Sequence, residues 1–397
     1  MNRDDFVMLE DQTIYFDNAA TTLKPKSVIR KMNEYYEKHT SNLHRGEYDA
    51  AIKTNQEYDH VRNIVSDFVH CDPNCCIFTS GTTMSINMMV FGYMKKHLKR
   101  GDEVILNKAE HASNILPWIK LSEEIGIVIK YAPLNENYEL TLDAIENCVT
   151  DKTKVISLAQ VTNVLGDVRD VKSIGRYCDE HHILFHVDGA QSVPHMKVDF
   201  HECNMDFLSF SGHKMCGPTG VGVLVGKKEL LEEMDPLCYG GGMNVSFDSD
   251  NSYELKNIPT KFEAGTPPIA EVIGLGEAIL YLQKIGMDKI HDYEMDLKKY
   301  LISKIRDIPN LILYNKNSES GILAFNIDGV FAQDSAVYLN QYHIAVRAGN
   351  HCAKELKDEL NIKNTVRVSM YFYNSYDDID ALINALRNSK DIFKVVL

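Results

Sequence analysis

The stretch Ser209-Phe210-Ser211-Gly212-His213-Lys214, followed by Gly217-Pro218-Thr219-Gly220-Val221-Gly222, decides how the chain is read. It follows a strand-like apolar run. Glycines and a proline fix the backbone just beyond Lys214, while small polar residues and a histidine crowd its approach. That setting suits an amine held at one point rather than one moving in solvent. Pyridoxal phosphate chemistry needs such an amine, one that condenses with a carbonyl and later moves a proton. For this segment by itself a surface lysine remains the ordinary alternative.

Upstream, His186-Val187-Asp188-Gly189-Ala190-Gln191 places Asp188 at the C-terminal end of an apolar strand, 26 positions before Lys214. Ligands of open α/β sheets gather at that edge. A carboxylate there can pair with a protonated pyridine nitrogen and keep the ring an electron sink; an aspartate closing a strand by turn chemistry is the alternative. Further upstream, Phe78-Thr79-Ser80-Gly81-Thr82-Thr83 ends a strand before a helical pattern from Met84 to Tyr93. Free N–H groups and hydroxyls at a helix start form a phosphate cradle. The Gly-x-x-x-x-Gly-Lys spacing of a nucleotide-binding loop is absent, and an ordinary Ser/Thr cap reads equally well in isolation.

Around these segments, short β-rich runs alternate with longer amphipathic ones, which predicts an α/β fold with a mainly parallel sheet. The runs at 103–106, 154–158, 184–187 and 222–225 are apolar and β-branched, as strands covered on both faces should be. Helical patterns span Asp143 to Cys148 and Val171 to His181. After Pro267 a long helical pattern from Ala270 to about Arg306 leads into a few strands and an amphipathic helix from Tyr376 to Leu386. The expected division is a large domain over 15–270 and a smaller one from 1–14 and 271–397.

The chain has 397 residues, 44% of them hydrophobic, enough for a substantial core. A formal net charge of −14 argues against broad attraction to nucleic acid or anionic lipid. No apolar run approaches the roughly 20 residues of a bilayer helix, and Met-Asn-Arg-Asp-Asp-Phe lacks a leader pattern, so a cytoplasmic protein is expected. Nine cysteines without a regular framework read as reduced thiols. Cys71, Cys75 and Cys76 cluster, but no second ligand group follows, and no metal is expected.

Cradle, ring-nitrogen partner and amine occur in the chain order of a known family. The segments resemble the class V aminotransferase family of fold-type I pyridoxal-phosphate enzymes, and within it the cysteine desulfurases and selenocysteine lyases. The likeness runs nearly end to end. It takes in Tyr15-Phe16-Asp17-Asn18-Ala19-Ala20-Thr21-Thr22, Asn42-Leu43-His44-Arg45-Gly46, Glu110-His111-Ala112-Ser113-Asn114 and Val161-Thr162-Asn163-Val164-Leu165-Gly166. It continues through Phe262-Glu263-Ala264-Gly265-Thr266-Pro267 to Arg347-Ala348-Gly349-Asn350-His351-Cys352-Ala353.

The resemblance implies a large domain with a mainly parallel seven-stranded sheet covered by helices, and a smaller α+β C-terminal domain. It implies that Lys214 holds the cofactor, Asp188 pairs with its ring nitrogen, and His111 stacks on the ring and takes part in catalysis. Gln191 and Asn163 would lie near the ring hydroxyl or the substrate, and Thr82, Thr83, Ser211 and His213 would hold the phosphate. Thr266 would reach the phosphate of a neighbouring subunit, which makes a homodimer. Arg367 would clamp the substrate carboxylate, with Arg347, Asn163 and His44 also facing substrate.

The implied reaction converts L-cysteine to L-alanine and leaves the sulfur as a persulfide on Cys352. Cys352, with a glycine and polar neighbours, fits a partly exposed loop thiol whose thiolate Arg347 or His351 favours; a buried structural cysteine is the alternative. The compact Arg-x-Gly-x-His-Cys-Ala loop resembles the group of desulfurases served by a dedicated small sulfur-acceptor protein, in iron–sulfur cluster assembly or another sulfur-transfer route. A selenocysteine lyase, or another class V lyase or aminotransferase, is the rival reading. Three departures stand out. Cys216 replaces a usual large aromatic residue, which would make the wall near the cofactor smaller or redox-sensitive. Asn350 replaces a common histidine, and Pro268 follows Pro267.

Overall fold

The computed structural model describes residues 3–389 and Ile392. The outermost parts of the expected small domain, Met1, Asn2 and residues 390, 391 and 393–397, lie outside the described residues. The central sheet is built from β1 (Cys76–Thr79), β2 (Glu103–Leu106), β3 (Val128–Tyr131), β4 (Thr153–Ala159), β5 (Leu184–Asp188), β6 (Phe207–Ser211) and β7 (Gly222–Gly226). Their spatial order is β1-β7-β6-β5-β4-β2-β3. Six run the same way, and β7 is antiparallel to both its neighbours. The fold is therefore α/β with a mainly parallel seven-stranded sheet, as the sequence leads one to expect.

Every residue of β1, β2, β6 and β7 is buried, because helices cover both faces. Alternate side chains feed different cores: Phe78 and Ile105 pack on one face, Ile77, Val104 and Leu106 on the other. The helix Val171–Glu180 starts where the Asp170 carboxylate accepts from the Ser173 N–H. Since β1, β2, β4, β5 and β6 are parallel in direction, their C-terminal ends share one edge. Thr82, His111, Asn163, Asp188 and Lys214 all follow or close those ends.

A second sheet, β8 (Leu311–Tyr314), β9 (Ile322–Ile327), β10 (Arg347–Gly349) and β11 (Thr365–Ser369), is antiparallel in the order β8-β9-β11-β10. It has its own core, with Leu297, Leu323, Val366 and Leu382. The helix Tyr376–Arg387 on this core begins with a capping box between Ser375 and Asp378.

The single helix expected from Ala270 to Arg306 is two, Ile269–Ile285 and Met287–Ile305. They break at Gly286, whose φ of +98° a side chain would resist. The second helix spans both cores: Ile290 packs with the central sheet and Leu297 with the small one. Ser369 N–H donates to the Phe16 carbonyl (2.8 Å), and Ala19 N–H to Ser369 Oγ (2.9 Å). The segment before Ala20 is thereby laid along β11, beside the central sheet's carboxyl edge.

Candidate active site

A cavity of about 200 Å³ opens at that edge. Thr82, Thr83, His111, Asn163, Asp188, Gln191, Ser211, His213, Lys214, Arg347 and Arg367, all singled out from the sequence, line it.

Lys214 ends a short 3-10 turn, Gly212–Lys214, that follows β6 directly. Gly217 N–H donates to the Gly212 carbonyl (3.0 Å), so the chain doubles back behind the lysine. A β-carbon on Gly217 would lie 2.8 Å from that carbonyl oxygen, which is why glycine stands there. Ahead of the lysine, the His213 carbonyl accepts from Thr22 N–H (3.0 Å), Thr21 Oγ1 (3.0 Å) and Lys24 Nζ (3.0 Å). Burial pushes the Lys214 amine down to about 8; Asp188 pulls it back up, and Arg367 and Arg347 push it lower. An appreciable neutral fraction near neutral pH makes the amine nucleophilic toward a carbonyl.

Asp188 is buried at the end of β5, and its Oδ1 accepts from the Ala190 N–H (2.9 Å). Burial raises its carboxyl to about 6, against the Ala190 hydrogen bond and the Lys214 charge. Its remaining oxygen suits a protonated ring nitrogen, whose charge would offset that burial. His111 Nδ1 accepts from the Ser113 N–H (3.1 Å), so the ring carries its proton on Nε2. Burial, then Lys214, Arg347 and Arg367, lower it to about 4, which keeps the ring neutral.

At the start of the helix Thr82–Met88, Thr82 N–H donates to Ser211 Oγ (2.8 Å), and Ser211 Oγ lies 2.7 Å from Thr82 Oγ1. The two hydroxyls share one hydrogen between them, so the pair keeps one hydroxyl hydrogen for an anion in front. Gly81 at φ +144° opens this cradle without a side chain in the way. A β-carbon on Gly222 would lie 2.4 Å from Gly81 Cα, so the β7 strand can pass beneath the cradle only with glycine there.

Three lining side chains each keep one buried polar atom without a partner: Gln191 Oε1, Asn163 Oδ1 and Arg367 Nε. Their other atoms are fixed. Gln191 Nε2 donates to the Ala19 carbonyl (2.7 Å), Asn163 Nδ2 to the His351 carbonyl (2.7 Å) and Arg367 Nη2 to Asp17 Oδ1 (2.9 Å). Orphaned buried donors and acceptors are expensive in a native protein and aim at a ligand. A nucleophilic amine, a carboxylate opposite, a neutral imidazole, an anion cradle and these three atoms fit pyridoxal phosphate carrying an amino acid.

The chain matches the family described as Aminotransferase class-V over residues 14–382. It belongs to the class-V aminotransferase family. A probable cysteine desulfurase of Staphylococcus aureus is 41% identical, over 96% of this chain and 92% of that protein. The solved structure of the cysteine desulfurase CsdA from Escherichia coli, an S-sulfonic acid form, superposes with a TM-score of 0.92 at 34% identity, covering 100% of this chain and 98% of that one. The apo cysteine desulfurase of Thermococcus onnurineus NA1 gives 0.93 at 34% identity, covering 97% and 96%.

Two expected site residues of this class-V aminotransferase lie apart from the cavity. His44 lines a second, larger one of about 420 Å³, with Arg45, Lys256 and Gly265. Thr266 Oγ1, next to it, accepts from Asn42 Nδ2 (3.1 Å). Cys352 is exposed, and its carbonyl accepts from the Ala112 N–H (2.7 Å), which sets it beside His111 at the cavity mouth. The expected help from His351 does not materialise: its ring is buried, its Nε2 donates to the Thr365 carbonyl (2.9 Å), and burial with the charges of Arg367 and Lys357 holds it neutral. Lys214 and Arg367 are the cations whose charge reaches Cys352.

Cys216 is no wall of the cavity. It is fully buried behind Lys214 against Tyr371, and burial pushes its thiol up to about 12. Sequence reasoning assigned no role to Asp17, Ser113 or Glu110. Glu110 forms a fully buried ion pair with Arg169, and its Oε2 accepts from the Ala159 N–H (2.7 Å) and Asn114 Nδ2 (2.8 Å). This network braces the ends of β2 and β4. The adjacency of Glu110 to His111 was the available signal.

Proposed function

We infer that this chain is a pyridoxal-phosphate-dependent cysteine desulfurase, with Lys214 as the cofactor lysine and Cys352 as the sulfur acceptor. The observation that carries the reading is Lys214, Asp188, His111 and Arg367 around one cavity with an exposed cysteine at its mouth. When bound, the cofactor supplies an electron sink that makes the substrate Cα proton removable.

The residues then divide the work. Arg367, with Arg347, holds the substrate carboxylate. Asp188 keeps the ring nitrogen protonated. Lys214, once free, takes the Cα proton, since its amine is held near 8. His111, held with its proton on Nε2, would lie against the ring and supply that N–H to the reaction. The Cys352 thiolate forms an S–S bond as the substrate Cβ–Sγ bond breaks; the electron pair stays with the carbon skeleton, which takes up a proton and leaves as alanine. One cysteine and one enzyme thiol give one alanine and one enzyme persulfide.

The working unit is a homodimer in which Thr266 and His44 serve the partner's site; His44 lining a second cavity, with Thr266 next to its Gly265 wall, supports this. The persulfide sulfur passes to a small acceptor protein for iron–sulfur cluster assembly or another sulfur-transfer route, supported by a short acceptor loop hydrogen-bonded down on both sides of the cysteine. Nine unpaired thiols suit the reducing cytoplasm. No helix among the described residues is long and apolar enough to cross a membrane. The test is mass spectrometry after incubation with cysteine. One added sulfur on Cys352, together with a borohydride-reducible cofactor adduct on Lys214, is the expected result; an adduct on another lysine sinks the reading.

A further inference from the structure

The acceptor cysteine sits on an unusual backbone. φ is +53° at His351 and +56° at Cys352, two successive non-glycine residues in the left-handed region. Each costs about 1–2 kcal/mol, so the turn persists only where its surroundings over-determine it. Three hydrogen bonds do so directly: Ala112 N–H to the Cys352 carbonyl (2.7 Å), Asn163 Nδ2 to the His351 carbonyl (2.7 Å) and His351 Nε2 to the Thr365 carbonyl (2.9 Å).

Behind them lies a group the reaction does not use. Thr365 Oγ1 is 3.0 Å from His351 Nε2 and accepts from Lys357 Nζ (2.7 Å). Lys357 is 2% exposed, and among the described residues no carboxylate lies within ion-pair distance of its amine. Buried lysines without a counter-charge are rare. Lys357 lies on the helix Lys354–Glu359; the groups facing it are His351, on the turn before that helix, and Arg367 on β11, with Arg347 of β10 acting on His351.

We propose that Lys357, acting through Thr365 and His351, is a positioning residue that fixes the Cys352 turn for sulfur transfer. The proposal rests on the reading of Cys352 as acceptor. Burial, then the Arg367 charge, lower the Lys357 amine to about 7. Protonated, it would be a second buried cation beside Arg367 and would loosen the turn; neutral, it keeps the hydrogen bond without that repulsion. Sulfur transfer therefore rises as pH passes upward through about 7.

The test uses the holoenzyme and the near-isosteric variants Lys357→Met, Thr365→Val and Thr365→Ser. After rapid mixing with cysteine, persulfide on Cys352 is followed by quench and mass spectrometry across pH 6 to 8.5, alongside the cysteine-induced change in cofactor absorbance. Lys357→Met and Thr365→Val should slow persulfide formation about tenfold to a hundredfold. Both should lose the pH step near 7 yet keep the absorbance change at unchanged half-saturation, while Thr365→Ser should match the parent. Unaltered rate and pH profile in the first two variants would overturn the proposal. So would an absorbance change lost in step with the persulfide, since the damage would then be general. If the parent itself forms no persulfide on Cys352 while its absorbance responds normally, the acceptor reading fails, and this proposal with it.

Discussion

Arg347 on β10 and Arg367 on β11 are directly opposed partners in an antiparallel pair, and both line the cavity. Like charges opposite one another disfavour a sheet by up to about 1 kcal/mol. Asp17, 2.9 Å from Arg367 Nη2, offsets Arg367. The excess positive charge is a seat for an anion. Arg367→Lys keeps the charge and loses the planar fork, so kcat/KM for cysteine should fall about a hundredfold, mostly as raised KM, with cofactor absorbance retained. Steady-state alanine release measures it.

Asp188 should trade stability for chemistry. Its folded value, about 6, lies above the usual 3.8, so its contribution to stability is full at low pH and is lost as pH rises through about 6. The displacement amounts to about 3 kcal/mol at roughly 1.4 kcal/mol per pKa unit. In the cofactor-free protein at pH 7, Asp188→Asn should raise the melting temperature by a few degrees. In the holoenzyme the same change should lower kcat at least about a hundredfold. A destabilised cofactor-free variant would contradict the burial argument.

His111 should stay neutral through the working pH range, because its value is near 4 and Nδ1 is occupied as an acceptor. Nitrogen NMR of labelled histidine should show a pyridine-like Nδ1 and a protonated Nε2 from pH 6 to 9. His111→Phe keeps a flat ring but loses the Nε2–H, and kcat should drop about tenfold to a thousandfold with little change in cofactor content.

Cys352→Ala should bind cysteine and give the parent's cofactor absorbance response, yet form no protein persulfide. Turnover to alanine should fall at least about a hundredfold, since expulsion of sulfide unaided lacks a positioned acceptor. A variant that releases alanine at the parent rate would remove the thiol from the mechanism.

Sedimentation velocity at micromolar concentration should show a dimer. Thr266→Val should leave that dimer intact and weaken cofactor binding by about tenfold, the loss of one charge-assisted hydrogen bond. Equilibrium dialysis of the cofactor measures it; unchanged affinity would detach Thr266 from the partner's site.

Much of the site was legible because its chemistry is local in the chain. The turns carrying Lys214, Asp188 and Thr82 each announce a strand end, a tight backbone and a functional group within six to twelve residues, and the structure brings all three to one cavity. Legibility failed where a side chain's surroundings come from distant segments. His351 looked like a cation for the thiol from its adjacency to Cys352, but burial and the charges of Arg367 and Lys357 hold it neutral, against the pull of the Thr365 hydrogen bond. Cys216 looked like cavity wall because the resemblance puts a large aromatic residue there, but it is fully buried, at φ +62°, against Tyr371. The helix break at Gly286 was lost because a lone glycine inside an amphipathic pattern reads as a tolerated one.

The order of strands and helices, the run of parallel strands and the residues at their ends were set by periodicity and turn chemistry, which act over a few neighbours. Which strand ends share an edge was decided only when the sheet assembled, with β7 reversed between β1 and β6. The protonation of Lys214, Asp188, His111 and Lys357 was likewise decided in three dimensions, because burial and the nearest charges set a pKa, and those neighbours lie up to hundreds of residues away in sequence.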